Sequence, residues 1–169
     1  MKPSLVLLTA VAIIVVAVSA SSGLLAAAPA SSSALAKQRE VVLYGHVKSL
    51  TRKGARFELR FDPAWWLTGL TAERAALQDT GSTDVPNDYY IVEEGHRLLT
   101  FVVPTTAQVS VLTRHGVGSI PATTIPVSEL AQIVKGKNPQ HRQLMEPKAG
   151  FWIRVAADTV RSLEQQYQP

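Results

Sequence analysis

The sequence predicts a mainly β domain with two short helices, built as a small antiparallel sheet curled into an OB-like barrel. An open α+β sheet with its helices on one face is the alternative. Three observations carry that expectation. Short runs of period-two alternation recur from about residue 41 to the end of the chain. Only two segments, near 71–81 and 127–136, combine helix-favouring residues with a terminating glycine. Cysteine is absent, and about 130 residues follow the apolar start, enough to bury a core without disulfide staples.

The amino terminus reads as an address. In MKPSLVLLTAVAIIVVAVSA, residues 1–20, Lys2 precedes an uncharged apolar run, and a tail of Ala, Ser, Gly and Pro follows. That is the order of a secretory signal. Cleavage sites present themselves after Ala20, Ala30 and Ala36. The alternative is an uncleaved anchor: no charge occurs between Leu5 and Ala36, a stretch able to span about 30 Å of hydrocarbon with Lys2 on the cytoplasmic side. Either reading places the folded part outside the membrane, with cleavage preferred and membrane contact confined to this segment if it is retained. Residues 21–38, mostly Ala and Ser, read as a flexible spacer. Residues 39–169 read as a single domain.

Within the domain, EVVLYGHVKSL puts Val41, Leu43 and Val47 on one parity and Tyr44, His46 and Lys48 on the other. TRKG supplies a turn. RFELRF then alternates Phe57, Leu59 and Phe61 with Arg56, Glu58 and Arg60, completing an antiparallel hairpin. FDPAWWLTG, residues 61–69, reads as a corner from strand end to helix, shaped by Asp62 and Pro63. LTAERAALQDTG follows as a helix with Thr71 as N-cap and Gly81 as terminator. The chain returns as a strand at Tyr89–Val92, turned by Glu93-Glu94-Gly95. RLLTFVV and QVSVL are strands, with Pro104 at a strand end, and HGVGS is a turn. VSELAQIVKG is a second helix, capped by Ser128 or Thr124 and closed by Gly136. KNPQHRQLMEPKAG is an irregular basic loop. FWIRV and TVRSLEQQY make a last hairpin with Phe151, Ile153 and Val155 inward. The strands number six or seven.

Several chemistries lack their residues. Without cysteine there are no thiol nucleophiles, iron–sulfur clusters or Cys zinc sites. There is no His-Glu-x-x-His, no Gly-x-Ser-x-Gly, no phosphate loop, and GVGSIP lacks the setting of a dinucleotide loop. His46, His96, His115 and His141 show no metal-ligand spacing, so no metal and no cofactor is expected. Without Lys2 the excess of basic over acidic residues is only three. That does not argue for nucleic acid, and the cations are not interleaved with aromatics as a single-strand platform requires.

Three groups remain as candidates. Asp62, Asp88, Glu93 and Glu94 offer paired carboxylates, though turn roles explain Asp62 before Pro63 and Asn87-Asp88 after Pro86 more simply. Trp65, Trp66, Tyr89 and Tyr90, with Trp152, are aromatic material for a glycan or peptide platform. Neighbours on a strand face opposite ways, so one of each pair is expected to pack inward and the other to meet a loop, a helix or solvent. Lys48, Arg52, Lys53, Arg56 and Arg60 form a basic face, with a second group at Lys135, Lys137, His141, Arg142 and Lys148. A solvated surface is the default reading for both.

GHVKSL, FDPAWWLTG, VPNDYYIVEEG and GFWIRVAADTVRSLEQQY together resemble a group of small exported bacterial β-rich proteins. Its signature runs Gly-x-Val/Ile, Phe-Asp-x-x-x-Trp-Leu-Thr-Gly, Asn-Asp-Tyr-Tyr-Ile and a terminal Gln-Tyr-x-Pro. The likeness covers nearly all of residues 41–169. It implies export and the extent of the domain, and brings no catalytic residue. The group often carries Asn soon after Asp-Tyr-Tyr-Ile, where Glu93 and Glu94 stand in this chain. The functional expectation is an exported, non-enzymatic domain that binds an envelope protein or glycan. Its rivals are a wall-glycan hydrolase using Asp62 with Asp88 or Glu93/Glu94, and a secreted inhibitor or accessory subunit offering the 137–150 loop or a sheet edge. The sequence sets no oligomeric state.

Overall fold

A closed barrel of five strands forms the centre of the computed structural model, which describes residues 39–93, 95, 97–116, 118–146 and 149–168. The export segment 1–20, the spacer 21–38, and Glu94, His96 and Lys148 lie outside the described residues. The elements in chain order are β1 (Glu40–Lys53), β2 (Arg56–Thr68), α1 (Gly69–Thr80), β3 (Tyr89–Val92), β4 (Leu99–Pro104), β5 (Gln108–Leu112), β6 (Ala122–Thr124), α2 (Val127–Ile133), β7 (Phe151–Ala156) and β8 (Thr159–Gln165). The barrel runs β1-β2-β4-β8-β7 and back to β1. Every contact in that ring is antiparallel except β4 to β8, which is parallel and is made at Val102 and Thr159. The mainly β, OB-like architecture is therefore the one the alternation predicted. Among the described residues no helix is long and apolar enough to cross a membrane.

The inward rows of the strands fill the barrel. Phe57, Leu59 and Phe61 of β2, Phe101 and Val103 of β4, Phe151, Ile153 and Val155 of β7, and Val160 and Leu163 of β8 are all buried in one cluster. The buried side of α2, chiefly Val127, Leu130 and Ile133, packs into the same core. Outside the ring, β5 joins β8 in parallel and β6 pairs with β5, while β3 extends the sheet from the far end of β2.

Several local expectations change. Among the described residues there are eight strands; β6 is the one the sequence hid, because three residues are too few to show a period. On β1, a register shift between Val47 and Ser49 switches the inward parity, so Leu43 and Val47 pack towards the core and Leu50 follows them. Val41 starts before the core does and stays exposed. FDPAWWLT is not a corner but the second half of β2. The β4 ladder ends at Phe61 and the β3 ladder begins at Trp65, so residues 62–64 have β1 on one side only. Pro63 is tolerated there because an unladdered flank needs no donor.

The helix starts also shift. α1 begins two residues before Thr71, whose hydroxyl donates back to the Thr68 carbonyl at 2.7 Å and does not cap. Gly81 does terminate it, at φ 76°, with its N–H on the Leu77 carbonyl. α2 follows Pro126 with no side-chain cap; Ser128 lies inside its first turn and Thr124 in β6. Gly136 closes the turn beyond it, donating to the Ile133 carbonyl at 2.8 Å.

Candidate functional site

The outer face of β1, β2, β3 and β7 carries most of the expected aromatic residues, arranged around one the sequence placed on a polar row. Tyr44 is only 3 % exposed. Cross-strand pairing sets it opposite Ala64 on β2 and Trp152 on β7, so all three share a face. Trp66 meets Tyr44 edge-on with centroids 5.1 Å apart, and Trp152 lies tilted at 5.0 Å. Tyr89 then stacks on Trp66 at 4.0 Å and 17°. These separations and tilts are those in which ring edges and faces attract.

Two glycines make room for this packing. A Cβ on Gly150 would stand 2.1 Å from the Tyr44 hydroxyl oxygen, and one on Gly45 would stand 2.1 Å from the Asp62 carbonyl. The first lets the phenol lie across β7's entry; the second lets β2 approach β1 closely at Asp62-Pro63. The carboxy-terminal residues complete the cover. Trp152 Nε1 donates to Gln166 Oε1 at 2.8 Å, and Gln168 Nε2 donates to the Tyr44 hydroxyl at 2.6 Å. Burial pushes the Tyr44 phenol up to about 12; the Gln168 hydrogen bond pulls the other way, and Tyr89 and Glu93 add to the rise.

A polar group borders the rings. His46 is the next outward residue on β1, its ring 6.2 Å from that of Tyr44. Its Nε2 lies 2.8 Å from Glu93 Oε1, out of line for a hydrogen bond. Asp62, the cross-strand partner of His46, holds Lys48 Nζ at 2.8 Å. That hydrogen bond raises the Lys48 pKa against the opposing effect of burial. Asp62 and Glu93 thus both approach His46, and each faces a basic side chain. Asp88 belongs elsewhere. Thr68 pairs with Tyr89, so Asp88 stands at the opposite end of the β2–β3 ladder from Asp62, roughly 20 Å along the strand at about 3.3 Å per residue. Among the described residues no group of three or more His, Asp or Glu side chains is placed to hold a metal ion.

The remaining candidates point away from this face. Trp65 has the opposite parity from Trp66 and is 57 % exposed, across from Val92 on β3. Tyr90 shares its side, and donates its hydroxyl to Asp79 of α1 at 3.1 Å, fixing the helix to the sheet extension. Asn87 and Asp88 both take positive φ, 63° and 58°, in the turn that feeds β3, conformations that Asn and Asp tolerate better than other non-glycine residues.

On the first hairpin, Lys53 pairs with Arg56 and Arg60 with Ser49, which gives Lys53, Arg56 and Arg60 one outer face. Lys48 leaves that group for Asp62. Arg52 has the other parity and turns its Nε to the Gly54 carbonyl at 3.1 Å. A shallow cleft of about 450 Å³ runs past this hairpin, with Lys53 and Arg56 offset by Glu58 and Asp158. In the 137–150 loop, Arg142 leaves the expected basic surface. Its guanidinium donates to both carboxylate oxygens of buried Glu129, and Asn138 clasps the Arg142 backbone through both its amide atoms.

Sequence reasoning missed Tyr44, Gln166 and Gln168. The legible signal was the pair Gly45 and Gly150: a glycine within a strand marks a close approach of something bulky. No family model, curated protein or solved structure matches the chain.

Proposed function

We propose that the chain is an exported, non-enzymatic domain that binds a partner at the cell envelope through polypeptide or glycan contacts, with Trp65 as the principal contact side chain. The observation that carries this reading is the split between the two adjacent tryptophans. Trp66 is committed to a packed cluster, whereas Trp65 is more than half exposed on a strand that pairs with β1 up to Ala64 and with β3 from Trp65 onward. A flat, rigid ring with few rotamers loses little entropy on binding and is suited to stacking on a sugar face or a peptide. The signal-like residues 1–20 support the envelope as the place of action. The mixed charge of the hairpin cleft gives little purchase to nucleic acid or another polyanion.

Paired carboxylates find less support. A glycosidase pair needs separations of roughly 5–10 Å across an open cleft. Asp62 and Asp88 are too far apart for this, and Asp62 and Glu93 are each held against a basic neighbour.

Co-sedimentation of the protein with purified wall and membrane fractions tests the proposal. Retention on one fraction, with no cleavage of wall glycan, is the expected result. A folded protein retained by neither fraction removes the reading, and release of soluble glycan fragments replaces it with the hydrolase.

A further inference from the structure

Beside the Lys48–Asp62 pair lies a cavity of about 830 Å³, between β1 and the end of α2. Its volume falls in the roughly 300–1,000 Å³ range of small-molecule sites. One wall is apolar: Val47 and Phe151 from the barrel, Ile133 and Val134 from the end of α2. Val47 and Val134 lie only partly buried against the core, so they present aliphatic surface to the cavity. The polar lining is set at the other side. Lys48 projects there half exposed, with one donor engaged on Asp62 and an ammonium's two others free to bond. His46 and Gln168 are the other polar side chains of the lining, Gln168 with its amide on the Tyr44 hydroxyl, and the lining residue Gly136 is flanked in sequence by exposed Lys135 and Lys137. Glu146, exposed at the margin, is the one carboxylate among the described lining residues.

We propose that this cavity binds a single-chain amphiphile bearing one anionic headgroup, with the chain along Val47, Val134 and Phe151 and the head at Lys48. Apolar walls with cations at the edge suit a molecule of that polarity better than a sugar, which needs several convergent hydrogen-bonding groups. The site is separate from the docking surface: Trp65 lies on the other side of β2 from Asp62, so neither proposal depends on the other.

Three probes of equal chain length, laurate, lauroyl lysophosphatidate and methyl laurate, decide the matter by calorimetric titration of the purified protein. Binding of either anion, with the methyl ester about tenfold weaker or undetectable, is expected from the loss of one charge-assisted hydrogen bond. Which anion binds tighter separates a fatty acid from a lysophospholipid as the source. Lys48→Gln weakens the anions about tenfold by the same reasoning, while Arg74→Gln, an equal charge change on α1, leaves them unaffected. Val134→Trp, which sets an indole across the apolar wall where the chain would lie, abolishes binding. A photoactivatable laurate gives a readout independent of any variant's folding, and should label peptides containing Val47, Val134 or Phe151. Equal binding of the methyl ester, no binding of any probe, or labelling confined to other segments overturns the proposal.

Discussion

A methyl group added at Gly150 would sit 2.1 Å from the Tyr44 hydroxyl oxygen, against an aromatic cluster with no slack on that side. Gly150→Ala should therefore cost about 1–3 kcal/mol, as overpacking in a filled core does. Urea unfolding measures it directly, as a lower midpoint at unchanged slope. Tyr44 itself makes a pH-dependent contribution. Its folded pKa lies above the ordinary value of 10, so the folded state holds the proton more tightly than the unfolded one. The associated stability is fully present below pH 10 and is lost as pH climbs from 10 to about 12. Ultraviolet titration should show one of the four tyrosines ionising last, near 12, and Tyr44→Phe should remove that step and flatten the alkaline loss of stability.

Among the elements, the last hairpin was read closely and still holds a local cost. Ala157 and Asp158 both adopt positive φ, 44° and 59°, in the two-residue turn between Ala156 and Thr159. Such turns match the strand twist but suit Gly and Asn, since the left-handed region costs an ordinary L residue about 1–2 kcal/mol. Ala157→Gly should raise stability by about 0.5–1 kcal/mol, less than that cost because the glycine-containing unfolded chain has more freedom to lose. A higher Tm in thermal melts checks it. That hairpin, the first hairpin and β3 were legible because one face of each strand has a distinct composition or a sharp turn. The second half of β2 was not. Asp62-Pro63 has the local chemistry of a strand exit, and only the gap between the β4 and β3 ladders makes a proline acceptable inside the strand. The parity switch on β1 was hidden for a related reason. A bulge at Lys48 depends on what the partner strand does, and alternation alone cannot announce it.

For the molecule as a whole, the barrel class followed from composition and period, but its closure did not. The parallel contacts of β8 with β4 and β5 join segments remote in sequence, and a strand's own residues do not name its partner. The candidate face shows the same division. Trp65 and Trp66 face opposite ways, but the covered one, Trp66, lies on the outer face and not inward as expected, and its cover depended on Tyr44, Tyr89 and Trp152 arriving from three other strands. Covering Trp66 makes it part of the scaffold and leaves Trp65 as the ring presented to a partner. The most direct test is retention of Trp65→Ala beside wild type on the envelope fraction that binds the protein. The account predicts retention at least tenfold weaker, the size of effect a central aromatic contact has at an interface, about 2 kcal/mol, with an unchanged Tm. Undiminished retention by folded Trp65→Ala would contradict it.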